Sequence, residues 1–139
     1  MVETWRGIYP ITAFVRDALR SKLAQVKPDA LLEPEQTLLT ACEFWFSVNT
    51  GGLGGRMRQR KMIPLMRAQQ AFTAIGAVRV ASVLRVLVAE LARDPEPATL
   101  EQLIAGAEDA LAHTEDRVDE LIARFAGEKL NLRPAQDDG

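Results

Sequence analysis

Three side chains have the types that a nucleophilic enzyme would use, namely Cys42, Glu43 and His113. A cysteine nucleophile needs a base within hydrogen-bonding reach and a third group that orients the base. Nothing in the sequence brings the three together, and Cys42 lies on an apolar helical face, where a cysteine packs as a small hydrophobe. His113 is the only histidine and Cys42 the only cysteine, so no zinc-ligand spacing exists either. The sequence therefore predicts no enzyme, no metal and no cofactor.

A second set of candidate residues lies in a glycine-rich basic segment, residues 49–61, which we expect to be a loop. Its glycines allow left-handed backbone and close approach to another surface. Its cations would attract an anion or an acidic partner, and they are Arg56, Arg58, Arg60 and Lys61. The segment lacks the Lys-Ser/Thr pair and the preceding strand of a P-loop, and it has no aromatic side chain to stack bases. A solvated loop, an acidic protein partner and a nucleic acid or other phosphate all stay open.

A third set is a row of carboxylates between residues 107 and 126. On a helical wheel with 3.6 residues per turn they share one arc, opposite an apolar arc, and they are Glu108, Asp109, Glu115, Asp116, Asp119 and Glu120. Carboxylates at regular spacing could imitate a phosphate backbone and bind a DNA-binding surface. The alternative is a solvent-exposed face beside a core face. Like charges at i, i+4 repel each other, which favours a functional role slightly.

The charges divide the chain in two. Residues 1–93 contain 13 Lys/Arg and 7 Asp/Glu, whereas residues 94–139 contain 4 and 12. The halves could attract different partners, or pair head to tail in a homo-oligomer, or simply be solvated.

Size and composition limit the class of protein. The 139 residues suffice for a single domain over residues 1–139, and 47% hydrophobic with 26% charged residues is typical of a globular chain. No apolar run approaches the roughly 18 residues of a membrane span, so no membrane partner is expected. The N-terminus lacks a secretory-signal pattern and a lone cysteine allows no internal disulfide, so we expect a cytoplasmic protein.

The apolar spacing predicts the elements that must position these residues. It indicates an all-α bundle of about six helices, with the glycine-rich basic loop between the second and third. Pro34 opens the second helix, whose stripe is Leu38, Leu39, Cys42, Trp45 and Phe46, and Asn49 or Gly51 ends it.

Later signals place the remaining helices. Gly76 divides a long apolar stretch into two helices, and Thr99 with Gln102 fits a capping box. Thr114 either caps a last helix or lies within a continuous rod. Residues 131–139 are expected to fray.

Three segments in order resemble a known family. Residues 41–53 (ACEFWFSVNTGGL), residues 71–77 (AFTAIGA) and the acidic stretch resemble the DNA-mimic-protein domain of many bacterial proteins, over about residues 33–126. The chain departs from the family at Leu53, where an aromatic is usual, and at Gly54, Gly55 and the basic run. Members that mimic DNA are also strongly acidic, whereas this chain has a net charge of −2.

The resemblance implies the family's all-α fold more strongly than its mimicry, because function belongs to the site and not to the fold. If mimicry is retained, the six carboxylates would provide it, across a homodimer if one forms. The hypothesis is a non-enzymatic module that binds a protein, such as a DNA-binding regulator, through an acidic helix face. The alternative is a nucleic-acid or anion-binding module that uses Arg56 to Lys61.

Overall fold

The computed structural model describes residues 3–5, 11–25, 32–130 and 132–134. It confirms an all-α bundle. Seven helices and two short strands lie in this part of the chain, in the order β1 Glu3–Trp5, α1 Ile11–Gln25, α2 Glu33–Asn49, α3 Leu53–Arg58, α4 Met62–Ile75, α5 Val78–Leu91, α6 Pro97–Ala112, α7 Val118–Lys129 and β2 Leu132–Pro134. None of the described helices is long and apolar enough to cross a membrane.

Helices α4 and α5 form the central hairpin of the bundle. Helix α2 packs on α1 and α4, α6 packs on α3 and α5, and α7 packs on α1 and α2. The break at Gly76 is confirmed, since this residue has φ +89° and its amide caps the end of α4. A left-handed residue at a helix end is nearly free of strain only for glycine, which explains why the apolar stretch divides there.

The aromatic residues of α2 pack differently from the predicted stripe. Phe44 is buried and meets the ring of Phe72 edge to face at 5.8 Å, and Trp45 meets the same ring at 6.1 Å. Phe46 was predicted in the core but is 41% exposed, with the Arg16 guanidinium 3.8 Å from its ring centroid. The prediction for Phe46 was wrong because Phe44, and not Phe46, points at the α4 side of the helix.

One charged side chain lies inside the contact of α1 with α2. Glu35 is 4% exposed, and it accepts hydrogen bonds from Lys22 Nζ and from the Leu32 amide. Burial alone would raise the pKa of this carboxyl, but the two hydrogen bonds outweigh burial and hold the pKa below its usual value.

The glycine-rich segment is not a loop throughout. Helix α2 ends at Asn49 and Gly51 has φ +83°, which fits the predicted helix stop. A Cβ at Gly52 would lie 2.2 Å from Ser47 Oγ, so this glycine permits a close approach to α2. Leu53 and Met57 are buried, and the packing of this apolar pair stabilises residues 53–58 as the short helix α3. The sequence pattern missed α3 because its two apolar anchors stand among glycines and arginines.

The strands join the two ends of the chain. β1 pairs parallel with β2, with Glu3 opposite Leu132 and Trp5 opposite Pro134. The prediction that residues 131–139 fray was therefore wrong for 132–134, while 131 and 135–139 lie outside the described residues. Three-residue strands are too short to show an alternating pattern, so no sequence signal was present.

The acidic stretch is two helices and a loop. Helix α6 ends at Ala112, residues 113–117 connect it to α7, and α7 begins at Val118. The wheel over residues 107–126 was therefore wrong, because it assumed one continuous helix. Helix α6 also begins at Pro97, after the N-cap Glu96, and not at the predicted Thr99. Thr114 instead lies in the connecting loop, where its hydroxyl accepts a hydrogen bond from the Asp116 amide at 3.2 Å.

Candidate functional site

The loop between α6 and α7 is fixed to the start of α5 by one carboxylate. Asp116 Oδ2 accepts hydrogen bonds from the amides of Arg79 at 2.8 Å and Val80 at 2.9 Å. The N-cap residue of α5 is Ala77, whose side chain cannot accept a hydrogen bond. A helix N-terminus leaves amide donors unpaired and favours negative charge, so Asp116 supplies the cap that the local sequence lacks.

Three other predicted carboxylates reach solvent beside this loop. Glu115 pairs with Arg79, and Glu120 pairs with Arg117 at 3.1 Å, while Asp109 Oδ1 lies 3.3 Å from His113 Nδ1. Their side chains are 77%, 69% and 78% exposed, respectively. Ion pairs this exposed contribute little to stability, and their carboxylates stay available to another molecule.

The remaining two members of the row lie at its edges. Glu108 is exposed on α6, and its charge raises the pKa of Arg58 after the larger effect of Glu101. Asp119 is exposed in the first turn of α7, and its charge raises the pKa of the Cys42 thiol on α2, after burial. We call the end of the bundle that contains Asp109, Glu115, Asp116, Asp119 and Glu120 the acidic junction.

Two open depressions adjoin at the acidic junction. One, of about 480 Å³, is lined by Gly76, Glu115, Asp116, Arg117, Glu120, Leu121 and Arg124. The other, of about 340 Å³, extends from Asp116 to Glu120 and reaches Trp45 and Asn49 of α2. Both are bordered by charged side chains and open to solvent, so they have the shape of a surface that another macromolecule could cover.

The predicted basic loop residues bind within the molecule. Arg58 makes two 2.8 Å hydrogen bonds to Glu101 of α6, which lower the pKa of that carboxyl. Arg60 Nη1 lies 3.0 Å from Asp94 Oδ1. Arg56 donates to Ser47 Oγ at 3.1 Å, with its guanidinium 5.6 Å from the centroid of the Phe44 ring.

Arg56 and Lys61 are the members of the basic set whose side chains have no ion pair within the described part of the chain, and of these two Lys61 is the exposed one. The nucleic-acid hypothesis for this segment stays a prediction. It would require Arg58 and Arg60 to exchange their carboxylate partners for phosphates.

The charge division of the sequence is partly neutralised inside one molecule. Arg58, Arg60 and Arg79 come from the basic first part of the chain, and their partners Glu101, Asp94 and Glu115 come from the acidic second part. Pairing of the two halves therefore does not require a second copy. The sequence could not distinguish these cases, because the partners are 34 or more residues apart along the chain.

The three residues considered for nucleophilic catalysis are engaged elsewhere. Cys42 is fully buried, and burial raises the pKa of its thiol, so the reactive thiolate is disfavoured. Glu43 accepts a 2.9 Å hydrogen bond from Arg20, and His113 Nδ1 lies 2.9 Å from the Asp109 carbonyl oxygen. Cys42 thus packs as the small hydrophobe that was predicted. Among the described residues, no three His, Cys, Asp or Glu side chains lie close enough together to hold a metal ion.

Comparison with known families gives a match to the family described as DMP19-like protein, over residues 29–136. Comparison with curated proteins and with solved structures gives no match. The matched range includes all of residues 33–126, where the resemblance to DNA-mimic proteins was recognised, and it covers helices α2 to α7. The chain therefore belongs to the DMP19-like protein family.

Proposed function

We propose that this chain is a non-enzymatic, cytoplasmic protein-interaction module that binds a basic surface of a partner protein through its acidic junction. The exposure of Asp109, Glu115 and Glu120 at one end of the bundle carries the proposal. The set Glu108, Asp109, Glu115, Asp116, Asp119 and Glu120 holds six carboxylates. Three guanidinium groups lie nearby, those of Arg79, Arg117 and Arg124. The surface therefore keeps an excess of negative charge.

The family supports a DNA-binding protein as the partner. A DNA-binding surface neutralises phosphates with Lys and Arg side chains, and carboxylates on rigid helices can occupy the same positions. Exposed pairs such as Glu115 with Arg79 cost little to exchange, because such pairs are worth about 0–1 kcal/mol. Asp116 differs from the others, since it is bound to the start of α5 and holds the loop in place.

The experiment compares partner capture by two variants. The immobilised chain captures proteins from a bacterial lysate at low salt, and captured proteins are tested for DNA binding with and without the chain. In the test variant Glu115→Gln, Asp119→Asn and Glu120→Gln are combined. The matched control removes three exposed carboxylates outside the acidic junction, by Glu33→Gln, Glu96→Gln and Glu128→Gln.

We expect the test variant to lose the captured protein, the control variant to keep it, and high salt to release it from the wild type. The captured protein should also lose its DNA when the chain is added. An unchanged set of captured proteins for the test variant would refute the proposal. A captured protein that binds DNA and the chain at the same time would refute mimicry and leave the protein interaction standing.

A further inference from the structure

Exposed apolar side chains concentrate on the central hairpin. Among the described residues, seven large hydrophobic side chains are exposed, and five of them lie on α4 and α5, namely Met62, Ile63, Met66, Val78 and Val86. Ile63 and Val78 are each 63% exposed. A cluster of exposed apolar residues on one helical hairpin is typical of an interaction surface.

One of them, Val78, lines a groove between the two helices. Its lining includes Gln69 and Thr73 from α4 and Val78, Ser82 and Arg85 from α5, around a volume of about 170 Å³.

Met62 and Met66 extend one edge of this groove. Residues 62, 66, 69 and 73 follow one another at spacings of four, three and four. Met62 and Met66 therefore share one edge of α4 with Gln69 and Thr73. The edge runs along most of the 14 residues of the helix, or about 20 Å at 1.5 Å per residue. This edge is therefore long enough to contact a helix of three to four turns.

The two helices that form the groove carry only positive charges up to residue 89, whereas Glu115 and Asp116 of the acidic junction adjoin the start of α5. Residues 44–89 contain seven cations and no Asp or Glu. Lys61, Arg67 and Arg85 are exposed, and their side chains have no ion pair with any residue that the structure describes. By contrast with Arg58, Arg60 and Arg79, these three cations are left for a ligand from outside the chain.

We propose that the α4–α5 groove binds an amphipathic acidic helix of a partner protein. The apolar face of that helix packs on Met62, Met66 and Val78, and a carboxylate beside this face pairs with Arg85. Helix-in-groove binding uses anchors at i, i+3, i+4 and i+7, and flexible methionines adapt to such anchors. A nucleic acid fits less well, because Arg85 is the one cation among the residues that line the groove.

The test uses fluorescent 14-residue peptides and fluorescence anisotropy. The first peptide has leucine at i, i+3, i+4 and i+7 with glutamate on the flanks, the second has lysine in place of glutamate, and the third is a scramble of the first. We expect the wild type to bind the first peptide and Met66→Ser to weaken that binding about tenfold, as loss of an interface anchor does. Arg85→Glu should weaken binding of the first peptide and strengthen binding of the second.

Two variants serve as matched controls. Leu32→Ser removes an exposed apolar side chain at the start of α2, and Lys129→Glu reverses an exposed cation in the last turn of α7. Both should bind the first peptide as the wild type does. Melting temperatures show that each variant is folded.

Several results would overturn the proposal. One is that the first and the scrambled peptide bind equally well. Another is that Met66→Ser and Arg85→Glu leave the affinity for the first peptide unchanged. Binding of duplex DNA or anionic vesicles without peptide binding would assign the groove to another ligand. A dimer in sedimentation experiments that Met66→Ser dissociates would assign it to a second copy.

Discussion

Substitution of Asp116 by alanine should destabilise the fold more than any other change in the acidic row. It removes both hydrogen bonds to the start of α5, at 2.8 and 2.9 Å. A hydrogen bond to a charged group contributes about 1.5–3 kcal/mol, and loss of a helix N-cap costs about 1 kcal/mol. Water can reach the half-buried site and replace part of this loss, so we expect about 2 kcal/mol. Unfolding entropy near 2.1 cal/mol/K per residue over 139 residues converts this to about 7 °C in Tm.

The assay is thermal and urea unfolding followed by circular dichroism. In Asp116→Asn an amide oxygen can still accept both hydrogen bonds, so this variant loses mainly the charge at the helix end, or about 0.3–1 kcal/mol. Glu115→Gln removes only an exposed ion pair with Arg79 and should stay within about 0.5 kcal/mol of the wild type. The reasoning fails if Asp116→Ala is no less stable than Glu115→Gln.

Other variants test the fold in the same unfolding assay and by thiol chemistry. Gly76→Ala should destabilise the fold by about 1 kcal/mol or more, since φ at this residue is +89°. Gly106→Ala inside α6 should stabilise the fold by about 0.5–1 kcal/mol, because a Cβ there meets no other atom. Equal effects of the two substitutions would contradict this reasoning. Glu35→Gln should be less stable than the wild type at neutral pH. The pKa of Glu35 is lower in the folded chain than in the unfolded chain, so ionised Glu35 stabilises the fold at every pH above its unfolded-state pKa. The deficit should shrink below about pH 4 as wild-type Glu35 protonates, and a pH-independent deficit would be the contrary result. Buried Cys42, with its raised pKa, should react with a thiol reagent only after unfolding, and rapid labelling of the native chain would refute its packing role.

Much of the fold could be predicted from local signals. Apolar spacing and proline positions indicated the helices, and Gly76 marked the hairpin turn correctly because its backbone conformation is a local requirement. Helix α3 and the pairing of β1 with β2 escaped prediction. Each depends on contacts between residues far apart in the chain, and short segments lack a periodic pattern of their own.

The candidate site could be predicted in composition but not in arrangement. The carboxylates were recognised, yet the wheel placed them on one helix, while the loop at residues 113–117 divides them. The start of α5 offered one usable signal. Ala77 cannot cap a helix, so a distant acceptor was to be expected, and Asp116 is that acceptor.

The sequence by itself determined the helical class, the family and the charges that each part of the chain bears, because periodicity, turn residues and composition are local properties. Only the tertiary structure decided which charges remain for a partner. Arg58 and Arg60 pair with carboxylates that are distant in sequence, whereas exposed Arg85 has no ion pair in the described part of the chain. The physical reason is that an ion pair depends on distance in space, and folding sets that distance independently of separation along the chain.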